Sequence, residues 1–213
     1  GIIALFIVAT PALNRIVEWN EAMHLPEALY NIEQWMRQQE NAATKITEQI
    51  LQVNSFSHFL AVIFGIGILT GIGEEMIFRG VLQRIVQDKN HRAHVAVWIC
   101  AFLFSAIHLQ FYGFIPRLLL GAFFGYLLVW SKNLWLPIFA HLFNNSTVAC
   151  ISYFTNDKSP DNLIETVGTS GSPTSWLAGA SLIGTVILLY VLYKKVFVSK
   201  SKEFFPMEDK ITP

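Results

Sequence analysis

The sequence predicts an all-α fold, a polytopic bundle of transmembrane helices, and three observations predict it. Hydrophobic residues make up 53% of the chain and charged residues 14%, where a soluble domain carries about a quarter charged. Mean hydropathy is +0.44. Six apolar stretches approach the roughly 20 residues that a helix needs to cross a bilayer. A soluble protein this apolar would expose adhesive patches, whereas a lipid-facing one would not.

Taken in order, the first span runs from Gly1 to about Ile16. The chain opens at Gly1 rather than Met, inside an apolar run, and is read as a fragment lacking its own N-terminus. A polar segment, residues 18–55, follows; its Leu25, Leu29, Ile32, Trp35 and Met36 recur mostly every three or four residues. That spacing predicts an amphipathic helix on the membrane surface or capping the bundle. The second span lies within Phe56 to about Val86, the third is about Ala93 to Leu109, and the fourth is Phe114 to Trp130. The fifth is Leu134 to Phe154 and the sixth Trp176 to Val198. The Ser-, Gly- and Pro-bearing stretch between these last two, Thr155 to Ser175, reads as irregular. With no internal repeat, residues 1–213 read as a single membrane domain with a core at 56–154.

Net charge is zero, so no basic patch points to nucleic acid. Cys100 and Cys150 lie in apolar runs and read as small packing groups. Lys194, Lys195, Lys200 and Lys202 cluster at the end of the last span and beyond it. By the positive-inside rule this places the C-terminus in the cytoplasm, consistent with a bacterial inner membrane. Alternation then puts Arg84, Lys89, Arg92 and Lys132 on the same side, and the 18–55 segment outside. Arg117, at the outer end of the fourth span, is an exception.

Ionisable groups inside spanning helices are costly and are candidate functional residues. Here they are Glu74, Glu75, Arg79, His108 and His141, with Asn144 and Asn145 beside them. At 1.5 Å per residue, Glu74 lies about 15 Å in from Arg84, His108 about 22 Å from Ala93 and His141 about 12 Å from Asn133. Three helices therefore each bring a polar side chain inside the bilayer. Glu75 and Arg79, four apart, share a face and read first as a buried ion pair that fixes packing. A single intramembrane histidine is often only an interhelical hydrogen bonder; two histidines together with Glu74 favour a site. Asn144 faces away from His141 and Asn145 and reads as packing. Gly67 with Gly71, and Gly121 with Gly125, are small pairs that permit close helix approach. Gly65 and Gly73 can also admit a substrate backbone.

This set suits hydrolysis. Glu74 can take a proton from an attacking water, with His108 sharing the role or orienting the water. His141 and Asn145 can donate to the oxyanion of a tetrahedral intermediate. Alternatively Glu74, His108 and His141 can bind Zn²⁺ with one position open for water. The sequence leaves both versions open. It contains no HExxH pattern and no serine in a nucleophile elbow.

The residues Glu74-Glu75-Met76-Ile77-Phe78-Arg79 resemble the EExxxR motif of the CPBP intramembrane proteases, the group holding the type II CAAX prenyl endopeptidases and the bacterial Abi proteins. Phe104 to His108 resembles that family's FxxxH motif, and His141 to Asn145 its HxxxN motif. Order and spacing match over about Phe56 to Phe154. The resemblance implies a helical membrane core with a site open toward the cytoplasm. It implies water activation by Glu74 and His108, an oxyanion hole from His141 and Asn145, and support from Glu75 and Arg79. Of the metallo and metal-free mechanisms it implies, the metal-free glutamate one is slightly favoured. The substrate would be a peptide or protein, lipid-modified if the processing is of the CAAX type; bacteriocin or membrane-protein processing are the other members' associations.

Two non-protease readings stand beside this one. A bacteriocin-immunity or scaffold protein would keep the polar cluster as packing. A proton-coupled transporter would use it as a relay, but the halves show no repeat of the kind such proteins carry.

Overall fold

The computed structural model describes residues 1–90, 92–155 and 163–194, with nothing said of the side chains of 88–90, 155, 163 and 165. Among the described residues there is no strand, and seven long helices form a bundle. Helix α1 is Ile2–Glu21, α2 is Tyr30–Leu51, α4 is Ala93–Ala106, α5 is Phe114–Ser131, α6 is Trp135–Thr155 and α7 is Leu177–Leu192. Helix α3, residues 56–90, is continuous but not uniform. Its turns widen to π geometry over Ile63–Leu69 and again over Met76–Leu82, leaving Thr70–Glu75 as an α-helical island between them.

The widened turns have local causes and partners. Thr70 donates its hydroxyl to Gly65 O, five residues back, at 3.0 Å, so the side chain occupies the loosened turn. Asn145 donates to Ile66 O at 3.2 Å, a carbonyl that a regular turn would use internally. Short π segments of this kind are over-represented at functional sites.

Helices α1, α3 and α5 have the length and apolar character to cross a membrane, and α4 and α7 are shorter apolar helices. Helix α6 is long enough, but His141, Asn144 and Asn145 dilute it. The protein is an integral membrane helical bundle. Of the predicted spans, the fourth and fifth agree with α5 and α6 to within a residue, whereas the first extends to Glu21 and the third stops at Ala106. The end of the sixth, with Lys195, Lys200 and Lys202, lies outside the described residues, as do residues 156–162 of the predicted irregular stretch; the rest of that stretch is turns apart from one helical turn, Leu163–Thr166.

Small residues set the interhelical distances. A Cβ at Gly71 would stand 3.2 Å from Leu142 N of α6, and one at Gly121 the same distance from Ala101 Cα of α4. At Gly125 it would meet Val97 and Gln83 at 3.0 Å, and at Gly67 it would collide with Ser146 Oγ. Both predicted small-residue pairs are therefore contact points. Gly65 and Gly73 face open space. Cys100 is buried and Cys150 half-buried, both as free thiols.

One end of the bundle is closed by α2. Asn20 at the end of α1 donates to Phe111 O at 3.1 Å and accepts from Ile115 N–H at 2.8 Å. Glu40 of α2 accepts from Tyr112 N–H at 2.9 Å, and Arg37 stands 4.3 Å over the Tyr112 ring. The opposite end carries Arg84, Arg92, Lys132 and Lys194, with His94 bonded to Tyr126 at 3.0 Å.

The segment that leads into helix α2 is held to it by one carboxylate. Buried Glu33 receives Arg37 through both Nε and Nη2, the Leu25 backbone N–H at 2.9 Å and His24 Nδ1 at 3.0 Å. The Arg37 hydrogen bonds, then those of Leu25 and His24, hold its pKa down to about 2. Because the folded pKa lies below the ordinary glutamate value, this stabilisation is present above about pH 4.3 and is lost as pH falls toward the folded value. Hydrogen exchange of the 22–29 segment should therefore accelerate in Glu33→Gln at neutral pH. The unmodified chain should show the same acceleration between about pH 4.3 and 2, beyond the intrinsic pH dependence of exchange. Unchanged exchange in the variant would show that this hub does not hold the segment.

Candidate active site

The site is built around one oxygen atom. Glu75 Oε1 accepts from Arg79 Nη1 at 2.9 Å and lies 2.9 Å from His141 Nδ1. Glu75 and Arg79 are wholly buried, at 0% exposure each. The second oxygen, Oε2, has no hydrogen-bond partner among the described residues. One turn of α3 supplies the pair, and α6 brings the histidine from 66 residues away. Buried charges survive only when paired and bonded, and here both conditions meet on a single carboxylate.

The other face of Arg79 reaches α5. Its Nη2 donates to Gly121 O at 2.7 Å, and one turn further Gln83 donates to Gly125 O at 3.2 Å. Both acceptors are glycines, whose missing side chains let the guanidinium and the amide come to the backbone. Aromatic rings enclose the remainder: Arg79 Cζ is 4.8 Å from the Phe104 centroid and 5.5 Å from that of Phe124. Phe124 also stacks on His141 at 5.0 Å. A cation shielded this way gains from the ring faces because water is excluded.

Glu74, one residue round the helix from Glu75, points instead into a cavity of ≈ 500 Å³ and keeps 26% of its side chain exposed. His108, His141, Asn144 and Asn145 line the same cavity. His141 Nε2 is 3.8 Å from Glu74 Oε2. His108 follows the end of α4, and its Nδ1 is 2.7 Å from Phe104 O. A carbonyl only accepts, so Nδ1 of His108 carries the proton and its Nε2 lone pair is free in the neutral ring. The same reasoning assigns the Nδ1 proton of His141 to the bond with an ionised Glu75.

The structure thus brings all six predicted residues to one place with two different duties. Glu74, His108, His141 and Asn145 line the cavity, whereas Glu75 and Arg79 lie behind it and orient His141. Asn144 is a correction: it does not face away but lines the cavity and donates to Asn145 Oδ1 at 3.2 Å. Helical spacing misplaced it because the cavity wraps more than one face of α6. Phe124, Gln110 and Arg117 were not singled out as site residues, although all three line the cavity. Arg117 had a signal in the sequence, as a cation near the end of an apolar span.

The cavity runs toward the α2 end, where Val17, Thr47, Ile50, Leu51 and Gly113 complete its wall. The orientation expected from the lysines would put this end outside, so that expectation and the cytoplasmic opening implied by the resemblance are mutually incompatible. Among the described residues no three His, Cys, Asp or Glu side chains gather closely enough to hold a metal ion. Glu74, His108 and His141 share a cavity wall without forming a zinc ligand set as they stand.

Residues 56–147 match the family model described as type II CAAX prenyl endopeptidase Rce1-like. The match covers somewhat under half of the chain and includes all three motifs. Over 109 residues the chain is 29% identical to the protein YpbD of Bacillus subtilis (strain 168), itself described as uncharacterized. That alignment takes in 49% of this chain and 51% of YpbD, so the chain spans about half the length of this relative. No solved structure matches. The segment that carries the three motifs is the segment similar to the Rce1-like family model.

Removing one partner of the buried pair should be severe. Arg79→Gln leaves Glu75 charged and desolvated, which typically costs about 3–5 kcal/mol. Its unfolding midpoint in detergent should fall well below that of the unmodified protein, and Glu75→Gln combined with Arg79→Gln should recover part of the loss. Additive losses in the double variant would show that the two side chains are not coupled.

Proposed function

We propose that this Rce1-like core hydrolyses a peptide bond within the membrane, with Glu74 as the base. One observation carries the reading. Glu74, partly open to the cavity, lies beside His141 Nε2 while its neighbour Glu75 is fully buried in the wall and bonded to Arg79 and His141. Adjacent carboxylates in such different surroundings can take different roles.

In this scheme Glu74 takes a proton from a water, whose oxygen attacks the scissile carbonyl carbon. The carbonyl π electrons move to oxygen, where Asn145 Nδ2–H can donate. His141 Nε2 can donate there too when the ring carries both protons. The proton held by Glu74 then passes to the leaving nitrogen as the C–N bond breaks. His108 Nε2 is free to hold the attacking water. Glu75 and Arg79 are positioning residues that fix the His141 ring. The hydrolysis is derived without a metal, and the substrate is a peptide or protein segment. CAAX-type processing of a lipid-modified substrate, and bacteriocin or membrane-protein processing, are the two substrate classes that follow from the family.

The charge pattern further supports an orientation with the C-terminus in the cytoplasm and α2 outside. A protease in that orientation would receive substrate from the α2 side.

Three outcomes are expected. Glu74→Gln should lower peptide cleavage, read by mass spectrometry, by about 10²–10⁴-fold while the protein still purifies as a folded species; a fully active variant would falsify the assignment. A chelator should leave wild-type cleavage unchanged, and chelator sensitivity reversed by added zinc would replace the metal-free scheme. In intact cells, a cysteine at Lys45 should react with a membrane-impermeant maleimide and one at Lys132 should not, with the converse pattern reversing the orientation.

A further inference from the structure

We propose that Arg117 and Gln110 form the anchor for the substrate's free C-terminal carboxylate, which makes the site selective for bonds near the end of a chain. The proposal rests on the peptide hydrolysis argued above. Arg117 lines the same cavity as Glu74 and His108, yet among the described residues no carboxylate lies within 4.0 Å of it. Its recorded partner is neutral: Nη2 donates to Gln110 Oε1 at 2.6 Å, and Nη1 reaches Gln110 O at 3.5 Å. Glu40 and Glu74 are the carboxylates whose charges it feels, and the former is occupied by Tyr112 N–H.

The contrast with the protein's other enclosed guanidinium is informative. Arg79 has Glu75, the Gly121 carbonyl and three aromatic rings, so its charge is met by an anion within the wall. Arg117 has the same fork of donors, is half-buried and is left without an anion at the wall of an open cavity. A guanidinium in surroundings of low dielectric favours a planar carboxylate, which it can bind in bidentate fashion. Gln110 holds the fork in place through its side-chain and backbone oxygens. Because the cation and Glu74 share one cavity, an anchored terminus leaves only a few residues between itself and the attacked bond. Internal segments of a long chain lack that carboxylate and would be disfavoured.

The test separates this anchor from the chemistry. The Glu74→Gln protein is incubated with one random peptide library in three isotopically distinguished forms. These are a C-terminal acid, a C-terminal amide, and an amide with glutamate in the last position. Retained peptides are counted by mass spectrometry. Charge-assisted hydrogen bonds of about 1.5–3 kcal/mol correspond to roughly ten-fold or greater enrichment of acid over amide. In Glu74→Gln with Arg117→Gln the ratio should fall toward one, and Arg117→Lys should retain part of it as a check that the cavity is intact. Equal retention of acid and amide overturns the anchor, as does a preference that survives Arg117→Gln. Enrichment of the glutamate form alone assigns the site to an acidic side chain and overturns the C-terminal assignment. Acid-selective retention combined with no cleavage by the wild type would instead uphold the anchor and overturn the peptidase reading.

Discussion

Everything around the site depends on a carboxylate oxygen with two donors. Glu75 Oε1 takes Arg79 from its own helix and His141 from α6, and Arg79 in turn holds α5 through Gly121. Three helices are therefore tied through atoms buried from lipid and water alike. In a bilayer the apolar side chains lose little by turning outward, so hydrophobic burial cannot alone decide which faces meet. A charged group that has one acceptable environment decides it much more sharply.

That arrangement also explains why Glu74 remains available. Two neighbouring glutamates project about 100° apart on a helix, so when one is fixed in the wall the other is turned toward the cavity. The pairing of Glu75 is thus a precondition for the exposure of Glu74. The rings of Phe104 and Phe124 close off water behind His141 while leaving its Nε2 side open. A protein with the same residues but a wet, mobile Arg79 would have no fixed position for the histidine.

Much of this was legible in the sequence. Spans show as apolar runs, and a glutamate or histidine inside one is conspicuous because its cost has to be offset by something. Helical spacing correctly paired Glu75 with Arg79, since that contact lies within one turn. Contacts between helices were less legible. Nothing local indicates that Phe124 would stack on His141, or that Asn144 would share a cavity with Asn145. The bond from Glu75 to His141 crosses 66 residues and appears only once three helices are assembled. The end of α4 was misjudged for a related reason: Ile107 and Leu109 are apolar enough to continue a span, but the chain turns there, with Leu109 at φ 53°. That turn brings His108 to the cavity.

The contacts of Arg79 and Gln83 with Gly121 and Gly125 have a mechanical meaning as well. Donors four residues apart on α3 meet acceptors four residues apart on α5, so the two helices run parallel there and are joined by two rungs. With one rung alone, sliding α5 by a helical turn, about 5.4 Å, would offer the guanidinium an equivalent carbonyl. With two, the same slip sets one of the donors against Val129 or Arg117, whose side chains obstruct the close approach that a glycine allows. The pair acts as a vernier that selects one axial register, and through Phe124 on α5 it also sets the height of the His141 ring.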